Sequence, residues 1–286
     1  MPELTFSPTP LIDHLDESFY ATIPDSGKYS KPARARKERI AWLRKKYKDD
    51  LQSLALADKL EGCIRGDRCK SAACPECSDA ARRLVVEVAR SFLKKQTSED
   101  TIVVCVSVVP ADSTSELDHL SLGQNQRNVQ CWKEILARAD IAWFIGASDW
   151  SANEHKQQRY GPHWSHHFYG FTVTDDVDKL KQRLGEQFLT TDAIPRPVKV
   201  QAWDGKGRAI RYMVKSDFKR RIGIDDGKRF NKADGTHRSC RATDKQPLRS
   251  SQKRELLLHL DQIGLEGRLI LLPRDYPFEA CGSDSG

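Results

Sequence analysis

The chain has 286 residues, 38% of them hydrophobic, enough apolar side chain for a packed core and too much for a charge-dominated disordered chain. Its 47 Lys and Arg against 40 Asp and Glu give a net charge of +7, a moderate lean toward polyanionic partners. No run of about 18 apolar residues occurs, and Met1 to Pro10 lacks the basic-then-apolar order of a secretory leader, so the expectation is a cytoplasmic protein with no membrane partner.

In chain order, residues 1–30 mix Pro, Ser and Asp without a period and read as a loosely ordered arm. Residues 31–98 read as a basic helix followed by a cysteine knuckle. The run from Lys31 to Lys48 is densely cationic with Ile40, Trp42, Leu43 and Tyr47 interspersed, which suits a helix with one basic face. Arg34, Arg36, Lys37, Arg39, Lys45 and Lys46 on it are candidates for phosphate contact, although a solvated surface helix has the same composition.

Cys63, Cys69, Cys74 and Cys77 fall within 15 residues at spacings x5, x4 and x2, and Pro75 pins the last pair into a tight turn. In a reducing compartment such clustered thiols read as metal ligands rather than disulfides. Four thiolates facing one point suit tetrahedral zinc, and no strand precedes the C-x2-C as a redox motif would expect, so one structural Zn²⁺ is expected. Cys105, Cys131, Cys240 and Cys281 are scattered and read as free thiols.

Residues 99–221 alternate strand and helix. Ser78 to Lys95 is an amphipathic helix leading into the segment; Thr101 to Pro110 is a buried strand, Leu120 to Ala139 a helix, Ile141 to Trp150 a strand and His167 to Thr174 another. Asp176 to Leu189 reads as helix, Val198 to Trp203 as strand and Gly207 to Arg221 as helix. Residues 222–286 begin with an exposed basic loop over 222–250 and end with a helix from Ser251 to Ile263 and a short strand at Leu269 to Leu272. The fold class that follows is α+β, a central antiparallel-rich sheet with flanking helices plus a zinc knuckle.

Two constellations carry chemistry. His163 and His167, with Asp149 on the neighbouring strand, could converge on a divalent cation such as Mg²⁺ or Mn²⁺; the bland reading is a polar rim of the sheet. In the predicted helix Tyr212, Lys215 and Lys219 share a face at i, i+3 and i+7, with Arg220 and Arg221 beyond. A tyrosine hydroxyl can attack a phosphodiester whose developing charge a lysine supports, although most helical tyrosines simply pack.

The order of these parts resembles a family. A C-P-x-C knuckle with a basic helix, a strand ending Val109-Pro110, a histidine-rich strand entered from Pro162-His163, and Tyr212-x-x-Lys215 followed by Lys219 are similar to the HUH-type rolling-circle replication initiators of plasmids and phages and to relaxases. The resemblance spans residues of about 60 to 220. It implies a split βαβ, HUH-like nuclease domain over 99–221, a metal-dependent nick in single-stranded or hairpin DNA, and a covalent 5′-phosphotyrosine on Tyr212 that permits rejoining. The family's second metal-binding histidine corresponds to Tyr169 in His167-Phe168-Tyr169, a departure from the pattern. Two other readings stay open: a non-enzymatic zinc-containing DNA- or RNA-binding protein of a mobile element, and a zinc-dependent hydrolase, which lacks an H-E-x-x-H signature.

Overall fold

The computed structural model describes residues 30–96, 101–141, 143–191, 194, 196–231 and 236–272, with 226–231 and 236–241 described by backbone alone. All of the expected arm except Ser30 lies outside these residues, as does Cys281. The elements are α1 (Lys31–Lys46), α2 (Leu51–Glu61), α3 (Pro75–Gln96), β1 (Ile102–Val108), β2 (Thr114–Glu116), α4 (Leu122–Arg138), β3 (Phe144–His155), β4 (His163–Thr174), α5 (Val177–Gln187), β5 (Val198–Ala202), α6 (Gly207–Met213), β6 (Lys219–Asn231), β7 (Thr236–Pro247), α7 (Ser250–Ile263) and β8 (Leu269–Leu272). Among the described residues no helix is long and apolar enough to cross a membrane.

The sheet runs β5-β1-β4-β3-β6-β7, with β2 added to β4 and β8 to β3. Each neighbour pair is antiparallel except β3 with β6. The architecture is therefore α+β around a mixed, antiparallel-rich sheet. β3 is the organising strand: one edge pairs with β4 throughout, while the other is shared by β8 against Phe144–Ala147 and β6 against Ala152–His155.

The pleat sends alternate residues to opposite faces. Val104, Val106 and Val108 of β1, Phe168 of β4 and Ile270 and Leu272 of β8 face Trp132, Ile135 and Leu136 of α4 and Leu180 and Leu184 of α5. On the opposite face Val103, Cys105, Ile145 and Phe171 meet Val85, Ala89, Phe92 and Leu93 of α3, with Phe92 edge-on to Trp143 at 4.8 Å. The β3–β4 ladder carries facing glycines, Gly146 and Gly170, and the Phe144 ring lies across them.

Four expectations need correction. The loop expected at 222–250 is a β-hairpin of β6 and β7, whose charged residues suit a sheet edge that must not recruit another strand. The helix expected from Gly207 to Arg221 stops at Met213, because Val214 leaves helical geometry and Lys219 to Arg221 pair with β3 and β7. Asp149 lies inside β3, which runs on to His155, rather than near its end. β4 begins at His163, four residues earlier than expected, since the ladder to Asn153 holds the histidine-rich segment in line.

Candidate functional site

The knuckle forms between α2 and the first turn of α3. Gly66, at φ +81°, allows the turn in which Ile64 and Asp67 exchange backbone hydrogen bonds at 3.2 Å, and this folds the long x5 spacing back on itself. Pro75 opens α3, so Cys74 caps the helix and Cys77 stands in its first turn. The four Sγ atoms lie within 4.8 Å of one another. Cys63 Sγ is 3.5 Å from that of Cys77 and 3.8 Å from that of Cys74, and Cys69 is 3.8 Å from Cys77. Four sulfurs about 2.3 Å from a central zinc are separated by about 3.8 Å, so the donor set fits one tetrahedral ion.

The basic helix α1 serves this knuckle. Arg36 bonds the carbonyls of Leu60 and Cys63, each at 2.8 Å, and pairs with buried Glu76 at 3.0 Å. Arg39 bonds the Ala73 carbonyl, and its burial, partly offset by Cys74, draws its pKa down to about 10. Arg68, itself buried, also pairs with Glu76 and lies 4.0 Å from Cys63 Sγ. Arg36 and Arg39 thus face the thiolates, while Arg34, Lys37, Lys45 and Lys46 remain exposed.

The second centre lies on the α3 face of the sheet. β3 and β4 pair Asp149 with His167, Ser151 with Ser165 and Asn153 with His163, so these six side chains share that face. His167 Nδ1 is 3.2 Å from the Ser165 carbonyl, and its Nε2 lies 3.0 Å from Asp149 Oδ2, close but out of line for a hydrogen bond. Lys215 Nζ reaches the same Oδ2 at 2.5 Å. Burial opposes ionisation of Asp149, but His167 and Lys215 together hold its carboxyl well below the usual carboxylate range.

Lys215 arrives there although α6 has ended. Its N–H bonds the Tyr212 carbonyl at 3.3 Å, and buried Arg268 donates to its own carbonyl at 2.9 Å, pinning the backbone. The Lys215 ammonium stands 4.8 Å from the centre of the Tyr212 ring, which meets Tyr169 edge-on at 5.2 Å. The two tyrosines differ in environment. Burial, then Cys105 and Tyr212, push the Tyr169 phenol well above its ordinary range, whereas Tyr212 is 45% exposed.

Tyr212, Lys215, Lys219, Arg221 and Lys245 line a cavity of about 320 Å³. Ser151 and Arg221 also belong to a neighbouring cavity of about 230 Å³ that continues along the face to Asn153, Tyr160, His163 and Arg196. The result is a cationic groove with one exposed phenol at its end. Lys219 pairs with Asp217 at 3.0 Å. Arg220 takes the opposite face of the sheet and donates to Glu154, which also binds Arg249 at 2.8 Å and Gln252 at 3.0 Å.

Of the sequence-predicted residues, then, Asp149, His167, Tyr212 and Lys215 meet at one place, with Lys219 and Arg221 beside them. His163 opens the adjoining cavity, its Nδ1 2.8 Å from the Gly161 carbonyl. Among the described residues the cysteine set is the only group of three or more Cys, His, Asp or Glu ligands near enough to share an ion. Asp149 and His167 stand together, and His163 is not gathered with them near enough to share an ion. Lys245 belongs to the segment 222–250 already read as basic, whereas sequence reasoning missed Arg196, which no local pattern marks, and the extent of the basic outer face of α3 beyond Arg82 and Arg83. There Arg82, Arg83, Arg90 and Lys94 line a cavity of about 870 Å³ with Arg211, and their helical spacing was the available signal. Comparison with protein-family models, curated proteins and solved structures finds no match to this chain.

Proposed function

We propose that the chain binds single-stranded or hairpin DNA in the cationic groove and nicks and rejoins it through Tyr212, as a replication initiator of the rolling-circle kind would. The observation that carries this reading is the meeting of an exposed tyrosine with the Lys215–Asp149–His167 corner at the end of a groove lined by Lys219, Arg221 and Lys245. A phosphodiester lying in the groove would meet ammonium and guanidinium groups on one side and a phenol on the other. Tyr212 Oη would form a bond to phosphorus as the P–O3′ bond breaks; the phenolic proton passes to solvent, and the departing 3′-oxygen takes up a proton as a hydroxyl. The 5′-phosphate then stays on Tyr212, and attack by a 3′-hydroxyl reverses the step. Lys215 supports the charge that develops on the phosphate oxygens.

In the same proposal the knuckle holds one structural zinc. The tetrathiolate would carry two negative charges, which Arg36, Arg39 and Arg68 offset, and it braces α1 and α2 against α3. Incubation of the protein with end-labelled single-stranded origin DNA, followed by denaturing gel electrophoresis, tests the reading: a detergent-stable adduct that Tyr212→Phe abolishes is expected. An adduct that survives the substitution would sink it.

One observation favours a second reading, a zinc-braced binder that does not cut: the position where the resembling family carries a second metal-binding histidine is Tyr169, half-buried against Cys105. Retained groove affinity with no adduct under any condition is the signature of that protein.

A further inference from the structure

The expected divalent cation and the side chains around Asp149 do not agree. A metal held by Asp149 would need further imidazole or carboxylate ligands converging on it, and His163 opens the next cavity along the strand instead. The space against Asp149 Oδ2 is taken by Lys215 Nζ at 2.5 Å. An ammonium at that distance delivers one positive charge to a buried carboxylate, and a divalent ion in its place would meet strong like-charge repulsion from the lysine.

The lysine's seat is built rather than incidental. Lys215 follows the last turn of α6, its carbonyl is gripped by Arg268, a guanidinium buried beneath it, and its side chain lies against the Tyr212 ring. His167 closes the opposite side of the carboxylate at 3.0 Å, with its other nitrogen turned to a backbone carbonyl. Asp149 is thus flanked by two nitrogens, and Tyr169 stands between strand and helix at the register position of Ala147 and Ser107.

We infer that Lys215 is the resident cation of this site: the Asp149–His167 corner binds no divalent metal, and a phosphate seated beside Tyr212 is met by the lysine ammonium directly. The exclusion of metal stands on the geometry alone, while its consequence for chemistry rests on the strand-transfer reading proposed above. That consequence is an adduct-forming step independent of added Mg²⁺ or Mn²⁺. Lys215 takes the role of charge support on phosphate and also fixes Asp149, which acts as a positioning residue through it.

The experiment has two arms on the full-length protein, with zinc counted at one per chain before and after. In the first, Mn²⁺ is titrated and bound ion is read by the loss of the free-ion paramagnetic resonance signal. Wild type and Asp149→Asn are expected to give the same titration; an Mn²⁺ equivalent bound by wild type and lost in Asp149→Asn overturns the assignment. In the second, adduct formation is measured in buffer stripped of divalent ions over chelating resin. A yield within about twofold of that at millimolar Mn²⁺, lost on Lys215→Ala and partly kept by Lys215→Arg, is expected, whereas an adduct that forms only with Mn²⁺ overturns the assignment. If no adduct forms with either buffer, the strand-transfer reading fails, and the Mn²⁺ titration still decides whether the lysine holds the site.

Discussion

The imidazole of His166 lies flat on the indole of Trp150, ring centroids 4.4 Å apart and planes within 8°. Trp132 closes its other side at 4.4 Å, Asn128 meets its Nδ1 at 3.1 Å, and its Nε2 finds no partner among the described residues. His259 meets Trp150 edge-on at 5.1 Å, with neither ring nitrogen bonded among the described residues. The side of the sheet away from the groove therefore carries two histidines that the fold keeps neutral.

Acid should expose this arrangement. Burial, then His167 and His259, hold His166 well below its ordinary value, and burial draws His259 down to about 4. Because the folded values lie below the unfolded ones, their contribution is intact above a pH of about 6.5 and lost as pH falls from there toward 4. His259 alone accounts for about 3 kcal/mol across that window. Denaturant midpoints should fall between pH 7 and pH 5, before Asp149 titrates, and His259→Leu should flatten the curve. An equally steep curve in the variant would remove His259 from the account.

Adjacent arginines on β6 should behave oppositely. Arg221 faces the groove and Arg220 faces Glu154. Arg221→Ala is expected to weaken binding of a fluorescent single-stranded oligonucleotide and to reduce the slope of log affinity against log salt by about 0.7. Arg220→Ala should leave that slope unchanged and lower stability by about 1–3 kcal/mol, because the buried carboxylate loses one of its partners. Anisotropy titrations over a salt series, with melting curves alongside, separate the two.

Stripping the knuckle should release more than a metal. With Cys74→Ser, or with a chelator at molar excess, zinc measured by mass spectrometry is expected to fall from one per chain to none. Far-ultraviolet dichroism should then lose helical signal from α1 and α2, which pack against this cluster. Helical content that stays constant on full zinc loss would show that the thiolates are not a brace.

Substitution at the facing glycines tests the ladder that holds Asp149 opposite His167. A Cβ at Gly170 would come within 2.5 Å of the Ile145 carbonyl and 2.6 Å of Gly146 Cα, both backbone atoms that cannot swing aside. Gly170→Ala is expected to cost about 1–3 kcal/mol or more. Gly185→Ala, where nothing lies within 4 Å of the new carbon, is the control and should be neutral or slightly stabilising within its helix.

What could be read from the sequence was whatever is decided locally. The four cysteines fall within one short segment, so spacing nearly determines their meeting. Asp149 and His167 were findable because strand alternation names the face each takes, but His163 was not excluded by it, since the pleat says which side a residue faces and not how far along it lies. Lys215 was singled out by helical spacing that does not exist there; it reaches Tyr212 because the chain turns after Met213 and Arg268 grips it, a contact from 53 positions away. Arg36 and Arg39 carry the same charge as Arg34 and Lys37, and only the packing of α1 on the knuckle decides which pair it buries. The β6–β7 hairpin was missed because its polar residues do not alternate with apolar ones at a protected edge, and its partner strand lies far upstream.

The late position of β8 has a consequence for how this molecule comes into being. Its four buried residues complete one edge of β3 at Phe144–Ala147, and the neighbouring Arg268 carbonyl receives Ser148 Oγ from 120 positions earlier. Until that segment emerges from the ribosome, an apolar strand edge stands open in the nascent chain, next to the stretch that carries Asp149. Pairings this distant in sequence form slowly and leave such edges free to join the wrong partner. The carboxylate, its lysine and the guanidinium that grips the lysine come from three separate stretches of chain, so the site exists only once all three have been brought together.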